Sequence, residues 1–289
     1  MNKKLEAFFS LSKPRIGTLI MVTTALGFFM GGHGIVSWSL LAITLLGTFM
    51  SCAGAAALNN FIERDVDARM QRTCNRPLPS GLLTPAQALA YGVLMVLGGV
   101  SLLAVKVNLL TAFLALLTCF LYVVIYTPLK RITWLNTFVG AIPGALPPMG
   151  GWAAATGELG VGAWVLFLIL FVWQHPHFYS IAWMYREDYR QAGFKMLPAI
   201  DSPEGTRTFR QIILYSIALI PVSLLPIWTG SAGWLYAFGA IVLGVTSLAV
   251  GIMFQRSKSV EDARRLLRTT VVYLPLLFFL IVADVQFFG

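Results

Sequence analysis

Apolar residues run along this chain in long uncharged blocks rather than in one-sided stripes. From Ile16 to Leu58 there is no Lys, Arg, Asp or Glu, and similar stretches recur towards the C-terminus. A helix needs about 20 residues to cross roughly 30 Å of hydrocarbon. On that measure the pattern predicts nine spans, centred on 16–36, 38–60, 86–105, 108–126, 133–153, 160–184, 211–228, 232–254 and 269–287. Inside a bilayer every peptide group needs an internal hydrogen-bond partner, which long helices supply. The expected fold class is therefore all-α, a polytopic membrane protein with nine transmembrane helices in one domain over residues 1–289.

Composition agrees, with 57% hydrophobic and only 11% charged residues. Soluble domains carry about 25% charged residues. The basic residues test the span count separately. Lys3, Lys4, Lys13 and Arg15 precede the first span, and Arg64, Arg69, Arg72 and Arg76 follow the second. Lys130 and Arg131 follow the fourth; two further basic groups follow the sixth and eighth. Of 21 basic residues, only Lys106 falls on the opposite face. The positive-inside rule then predicts a cytoplasmic N-terminus and a C-terminus on the other side. The net charge of +9 is thus mostly topological and gives no reason to expect a nucleic-acid partner. The N-terminal "MNKKLEAFFSLSKPRIG" is only superficially a signal peptide and is read as a retained first helix. Cys52, Cys74 and Cys119 lack CxxC spacing and are expected to be packing residues.

Polar chemistry gathers in two long cytoplasmic loops that carry both signs of charge, 61–85 and 185–210. In "NNFIERDVDARMQRTCNRPLPSG", helical continuation of the second span puts Asn59, Glu63 and Asp67 at i, i+4 and i+8. Each step drifts about 40° and rises about 6 Å, so three oxygen-bearing side chains line one face, while Asp65 points away. Such a ladder suits Mg²⁺, which keeps waters and is bound by one or two carboxylates plus substrate phosphate. The same spacing also fits an interfacial helix with solvated charges and i, i+4 pairs. Arg64 and Arg72 are candidates to pair with Asp65 and Asp67 or to meet phosphate oxygens. The second loop offers Glu187 and Asp188 between Arg186 and Arg190, either a charge-paired helix end or the far side of a metal site.

These stretches together resemble the intramembrane prenyltransferase superfamily, and within it the protoheme IX farnesyltransferase (heme O synthase) branch. The first superfamily signature, N-D-x-x-D-x-x-x-D, is matched by Asn59, Asn60, Glu63 and Asp67. Asn in its second place marks the heme branch. "RDVDARMQRTCNRPLPSG", "LSKPRI", "YTPLKRIT", "NTFVGAIPGALPPMGGW", "WQHPHF" and "REDYRQAG" extend the likeness from about residue 10 to 200. Glu63 stands where the signature usually has Asp. The second signature, D-x-x-x-D, is reduced, with Met184 four residues before Asp188.

The resemblance implies a helix bundle around a central cavity opening to the cytoplasmic side of a bacterial inner membrane. It implies farnesyl transfer from farnesyl diphosphate to the 2-vinyl group of heme B, a substrate rather than a cofactor, with Mg²⁺ as the cofactor. Asn59, Glu63, Asp67 and Asp188 are the expected metal ligands. Arg72, Arg76, Lys130 and Arg131 are the candidate diphosphate clamps, and His177, in the family's "PHF", is a candidate heme contact. Expected partners are the two substrates, membrane lipid and a downstream heme-modifying enzyme or terminal oxidase. Prenylation of a quinone precursor, or a transporter role, are the rival readings; no obvious inverted repeat supports the latter.

Other residues invite weaker stories. His175 and His177 lie about 200° apart on an ideal helix, too far to reach one iron from one face, and His33 falls on the opposite side of the membrane. The abundant aromatic residues read mainly as packing or interfacial belt. Gly31-Gly32, Gly98-Gly99 and Gly150-Gly151 read as close-packing points between helices, and the prolines of "GAIPGALPPMGG" are expected to kink the fifth span.

Overall fold

A computed structural model describes the backbone of residues 3–288 and the side chains of residues 3–284. Those residues form helices and connecting turns, with no strand among them. In chain order the helices are α1 (Lys3–Leu11), α2 (Pro14–Gly31), α3 (Trp38–Asp67), α4 (Pro85–Lys106) and α5 (Leu109–Phe120). A π-helical stretch, Leu121–Tyr126, carries α5 into α6 (Thr127–Leu129). Then follow α7 (Asn136–Thr156), α8 (Val161–Met184), α9 (Arg186–Gln191) and α10 (Leu197–Ile200). The chain closes with α11 (Thr206–Ser223), α12 (Leu225–Trp228), α13 (Trp234–Ser257) and α14 (Val260–Phe288).

Among the described residues, eight helical segments are long and apolar enough to cross a membrane: α2, α3, α4, Leu109–Leu129, α8, Thr206–Trp228, α13 and α14. The ninth expected span, 133–153, does form a helix, α7. Four glycines and three prolines dilute its apolarity below that of the other eight, although 21 residues are long enough to span. Its interior prolines, Pro143, Pro147 and Pro148, stay within one continuous helix. Tight packing against α2 accompanies this: a Cβ added at Gly27 of α2 would run into the Pro148 carbonyl, and one at Gly151 into the Thr24 carbonyl. Small residues here let two backbones touch, as helix pairs in lipid require. Gly27→Ala is therefore expected to lower stability by about 1–3 kcal/mol through overpacking, visible as a lower melting temperature in detergent, with no effect at Gly150, whose Cβ would meet open space.

The bundle packs α2 on α7, α3 on α4 and α7 on α8, while α8, α11, α13 and α14 form the other half. That second half holds a large core containing Leu166, Ile169, Leu219, Tyr236, Tyr273 and Leu277. Its buried hydroxyls are joined: Tyr236 donates to the Ser223 carbonyl at 2.6 Å, and the Ser223 and Tyr273 hydroxyls lie 2.7 Å apart.

Three local features place the charged end. Helix α3, capped at its start by Ser37 accepting from the Leu40 N–H, runs for 30 residues. That is about 45 Å, against roughly 30 Å of hydrocarbon, so its last turns reach the polar boundary. Helix α4 restarts with a capping box between Thr84 and Gln87. Finally, Val66 and Met70 pack with Ala182, Tyr189, Phe194 and Met196, tying the end of α3 to α8–α10.

Candidate active site at the charged end of the bundle

The ladder read from the sequence exists, and it points inward. Asn59, Glu63 and Asp67 are 1%, 5% and 0% exposed, whereas the Asp65 side chain is 73% exposed and pairs with Arg64 at 3.8 Å. The interfacial alternative required solvated charges on this face, and burial excludes it.

Each ladder side chain has a basic partner. Lys13 donates to Asn59 Oδ1 at 2.9 Å, Lys130 forms an ion pair with Glu63, and Arg76 Nη1 donates to Asp67 Oδ2 at 2.6 Å. Asp67 thus pairs with Arg76 rather than with Arg72. Its other oxygen, Oδ1, is buried without a hydrogen-bond partner. A buried carboxylate oxygen without a partner costs about 1–3 kcal/mol, so this one is chemically suited to take a further ligand. Neighbouring loop structure is tied to the same residue, since Thr73 Oγ1 donates to the Asp67 carbonyl at 2.9 Å.

The π-helical turn supplies the facing wall. Pro128 has no N–H, and its ring crowds the carbonyl four residues back, so a wider register accommodates it. Thr127 Oγ1 donates to the Tyr122 carbonyl at 2.8 Å and accepts from Asn59 Nδ2 at 3.0 Å. Lys130 follows, its ammonium 4.9 Å from the Tyr126 ring centroid and 5.5 Å from that of Phe194. Its carbonyl accepts from the Lys195 N–H at 2.6 Å, and Asn136 Nδ2 donates to the Lys195 carbonyl at 3.0 Å.

Lys13 sits just before α2. Burial pushes its ammonium down to about 7, helped by the charges of Arg76 and Lys130 and opposed by Glu63 and Asp67. The arrangement is therefore a compact set of two carboxylates, one amide and three basic groups at the rim of an apolar bundle. Hard oxygen donors with cations around them suit a divalent metal carrying a phosphate ester.

The remaining expected site residues divide. Arg72 lies exposed beside the ladder; its guanidinium donates to the Tyr189 hydroxyl at 2.9 Å and stacks 4.9 Å from the Tyr185 ring. Asp188 shares with Arg72 an open cleft of about 460 Å³, also lined by Gln71, Met184, Tyr185 and Glu187. Among the described residues no three acidic, histidine or cysteine side chains stand close enough to hold a metal, so Asp188 does not join Glu63 and Asp67 in this geometry. Arg131 is exposed, with no ion pair among the described residues. In the 185–210 loop, Arg190 pairs with Glu187 at 2.6 Å.

The two histidines of α8 face different helices, as their angular separation required. His177 Nδ1 lies 3.0 Å from Thr270 Oγ1 of α14, with its ring stacked on Trp173. His175 is fully buried and stacked on Tyr215 of α11, with ring centroids 3.6 Å apart. Since a carbonyl only accepts, His175 Nδ1 donates to the Phe171 oxygen at 2.7 Å, and its buried Nε2 has no partner.

Sequence reasoning missed Lys13 and Thr127 as site residues. Both lay inside stretches that carried the resemblance, "LSKPRI" and "YTPLKRIT", but nothing in a single sequence says that two such distant segments close on Asn59.

Residues 20–281 match the UbiA prenyltransferase family. The chain is 48% identical to the protoheme IX farnesyltransferase of Solibacter usitatus, covering 97% of this chain and 99% of that protein. It is 45% identical to the protoheme IX farnesyltransferase of Salinibacter ruber, covering 96% and 98%. Among solved structures it is similar to a digeranylgeranylglyceryl phosphate synthase, with a TM-score of 0.81 and 14% identity over 98% of each chain. A UbiA homolog from Archaeoglobus fulgidus, bound to GPP and Mg²⁺, superimposes with a TM-score of 0.66 and 16% identity over 96% of this chain and 99% of that one.

Proposed function

The chain belongs to the UbiA prenyltransferase family, and from that premise we propose that it transfers the farnesyl group of farnesyl diphosphate to the 2-vinyl group of heme B, giving heme O. The acceptor is supported by near-full-length relatives named protoheme IX farnesyltransferase. The observation that carries the chemistry is the buried ladder with its three basic partners.

In the reaction, the allylic C–O bond breaks and its electron pair leaves with diphosphate. The terminal vinyl carbon bonds to the farnesyl carbon, and water supplies the hydroxyl beside the porphyrin while releasing a proton. Asn59, Glu63 and Asp67 fit Mg²⁺ by donor chemistry, and the orphaned Asp67 Oδ1 fits a ligand not otherwise accounted for. Mg²⁺ held there would neutralise the charge that develops on the leaving diphosphate. Lys130 and Arg76 line the same face and are placed to meet non-bridging oxygens, with Arg72 next to them at the cleft mouth. Preorganised cations of this kind stabilise a leaving group without reorganising during the reaction. Buried apolar helices behind the ladder keep water from the allylic carbon until the vinyl group attacks. His177 is retained as a heme-side contact, and Asp188 as a residue of the cleft it shares with Arg72.

The multi-pass chain is placed in the bacterial inner membrane, N-terminus in the cytoplasm and C-terminus opposite, as one prenyltransferase domain. The charge asymmetry of its loops supports that orientation.

The test is an assay of purified protein with labelled farnesyl diphosphate and either heme B or a hydroxybenzoate. Labelled heme O is expected, formed only with divalent metal and lost on adding chelator. A labelled hydroxybenzoate without heme product would overturn the acceptor, and chelator-insensitive turnover would overturn the metal.

A further inference from the structure

Ser259 opens α14 as its cap, accepting from the Asp262 N–H at 3.0 Å. That start fixes which residues stand at the membrane boundary. From Arg256 to Arg268 the turn between α13 and α14 carries five basic residues, Arg256, Lys258, Arg264, Arg265 and Arg268, against two acids, Glu261 and Asp262. Asp262 is already occupied: Ser257 Oγ donates to one of its oxygens at 2.5 Å and Arg265 Nη1 to the other at 2.8 Å. Arg264 and Arg268, one turn apart, form no ion pair among the described residues. With Glu261 and Arg265 they line an open cleft of about 310 Å³.

Beyond the cleft the same face turns apolar. Exposed positions on α14 recur at Arg264, Arg268, Val271, Val272, Leu276 and Phe279, the three-to-four-residue step of one helix face. Arg268 to Phe279 is about 16 Å of helix, close to half of the roughly 30 Å of hydrocarbon. A single strip is thus cationic where the phosphates of a bilayer lie and apolar for the depth of one leaflet. The charge asymmetry of the loops explains why cations stand on this side of the membrane. It does not explain why unpaired arginines gather on the face that leads into that strip. Phosphate does, because a guanidinium presents a planar fork that meets two of its oxygens at once.

We propose that this strip binds one anionic phospholipid, its phosphodiester held between Arg264 and Arg268 and an acyl chain lying along Val271, Val272, Leu276 and Phe279. A zwitterionic lipid is the poorer ligand, because its ammonium brings a further cation to a face that already has an excess of them. An anionic headgroup meets that excess. The site shares no side chain with the oxygen ladder of α3, so it stands whatever group the bundle transfers. Lipid bound there holds the α13–α14 turn at its depth in the membrane and stabilises the folded chain by mass action.

Native mass spectrometry of the full-length protein, released from neutral detergent, tests this with phosphatidylglycerol titrated against phosphatidylcholine of the same chains. Wild type is expected to retain one phosphatidylglycerol with about tenfold preference over phosphatidylcholine, and the Arg264→Gln, Arg268→Gln double variant to lose that preference. Phosphatidylglycerol should raise the melting temperature of wild type and leave that of the double variant unchanged. Arg69→Gln combined with Arg210→Gln removes the same charge from exposed positions on other elements, and should keep the preference. Equal binding of the two lipids by wild type overturns the site. An equal loss in the Arg69, Arg210 pair overturns it as well, since diffuse surface charge would then suffice. Glycerol phosphate that displaces the lipid at equal concentration would mark a free-phosphate site and overturn the role of the apolar strip. The lipid comparison and the glycerol phosphate competition use wild type alone, so they decide the question even if the double variant does not fold.

Discussion

Asp67→Asn is expected to lower heme O formation by about 10²–10³-fold while the protein still inserts and elutes as a folded species. The substitution keeps the volume of the side chain and removes its charge. Asp67 is fully buried, binds Arg76 through one oxygen and leaves the other without a partner. On this account the unpaired oxygen is the one a metal diphosphate needs, so the loss falls on the departure of diphosphate. Losing one preorganised group at a developing charge costs about that factor. Glu63→Gln should behave similarly. If both variants turn over at the wild-type rate with undiminished metal dependence, neither carboxylate belongs to the mechanism. A variant that merely misfolds would instead be lost at the size-exclusion step.

Lys130→Met is expected to have the largest effect on stability. Glu63 and Lys130 form an ion pair whose side chains are 7% and 11% exposed. Removing one partner strands a buried carboxylate, which typically costs about 3–5 kcal/mol. The melting temperature in chelator should fall accordingly. The sign of the rescue is informative: Mg²⁺ added alone should recover much of the loss in Lys130→Met, because it neutralises Glu63, and should do little for wild type. An equal response of both proteins to Mg²⁺ would mean that Lys130 does not occupy a metal position.

How far the sequence carried the structure can be judged from particular elements. Eight of the expected spans needed only length and uncharged runs, and they formed. The orientation of Asn59, Glu63 and Asp67 followed from the 3.6-residue period once α3 was assumed to continue past the hydrocarbon. It did continue, to Asp67. The proline-rich helix α7 was harder, because proline and glycine normally argue for a break. Here the same glycine-rich composition allows close backbone contact with α2, a tertiary fact that local propensity does not contain. Partner choice was the least legible. Arg72 and Arg76 are four residues apart in one loop, yet only Arg76 reaches Asp67, while Arg72 goes to Tyr189. Lys13 and Thr127 join Asn59 only through the packing of three helices. Asp188, expected on the metal, lies in the cleft with Arg72 instead.

The central claim is that the buried oxygen ladder grips a metal bound to the substrate's diphosphate. Pulsed EPR on the full-length protein with Mn²⁺ and a non-cleavable thiolo analogue of farnesyl diphosphate tests it most directly. The account predicts ³¹P hyperfine coupling to protein-bound Mn²⁺ in wild type, lost in Asp67→Asn. The same coupling, unchanged at equal occupancy in an Asp67→Asn, Glu63→Gln double variant, would contradict it.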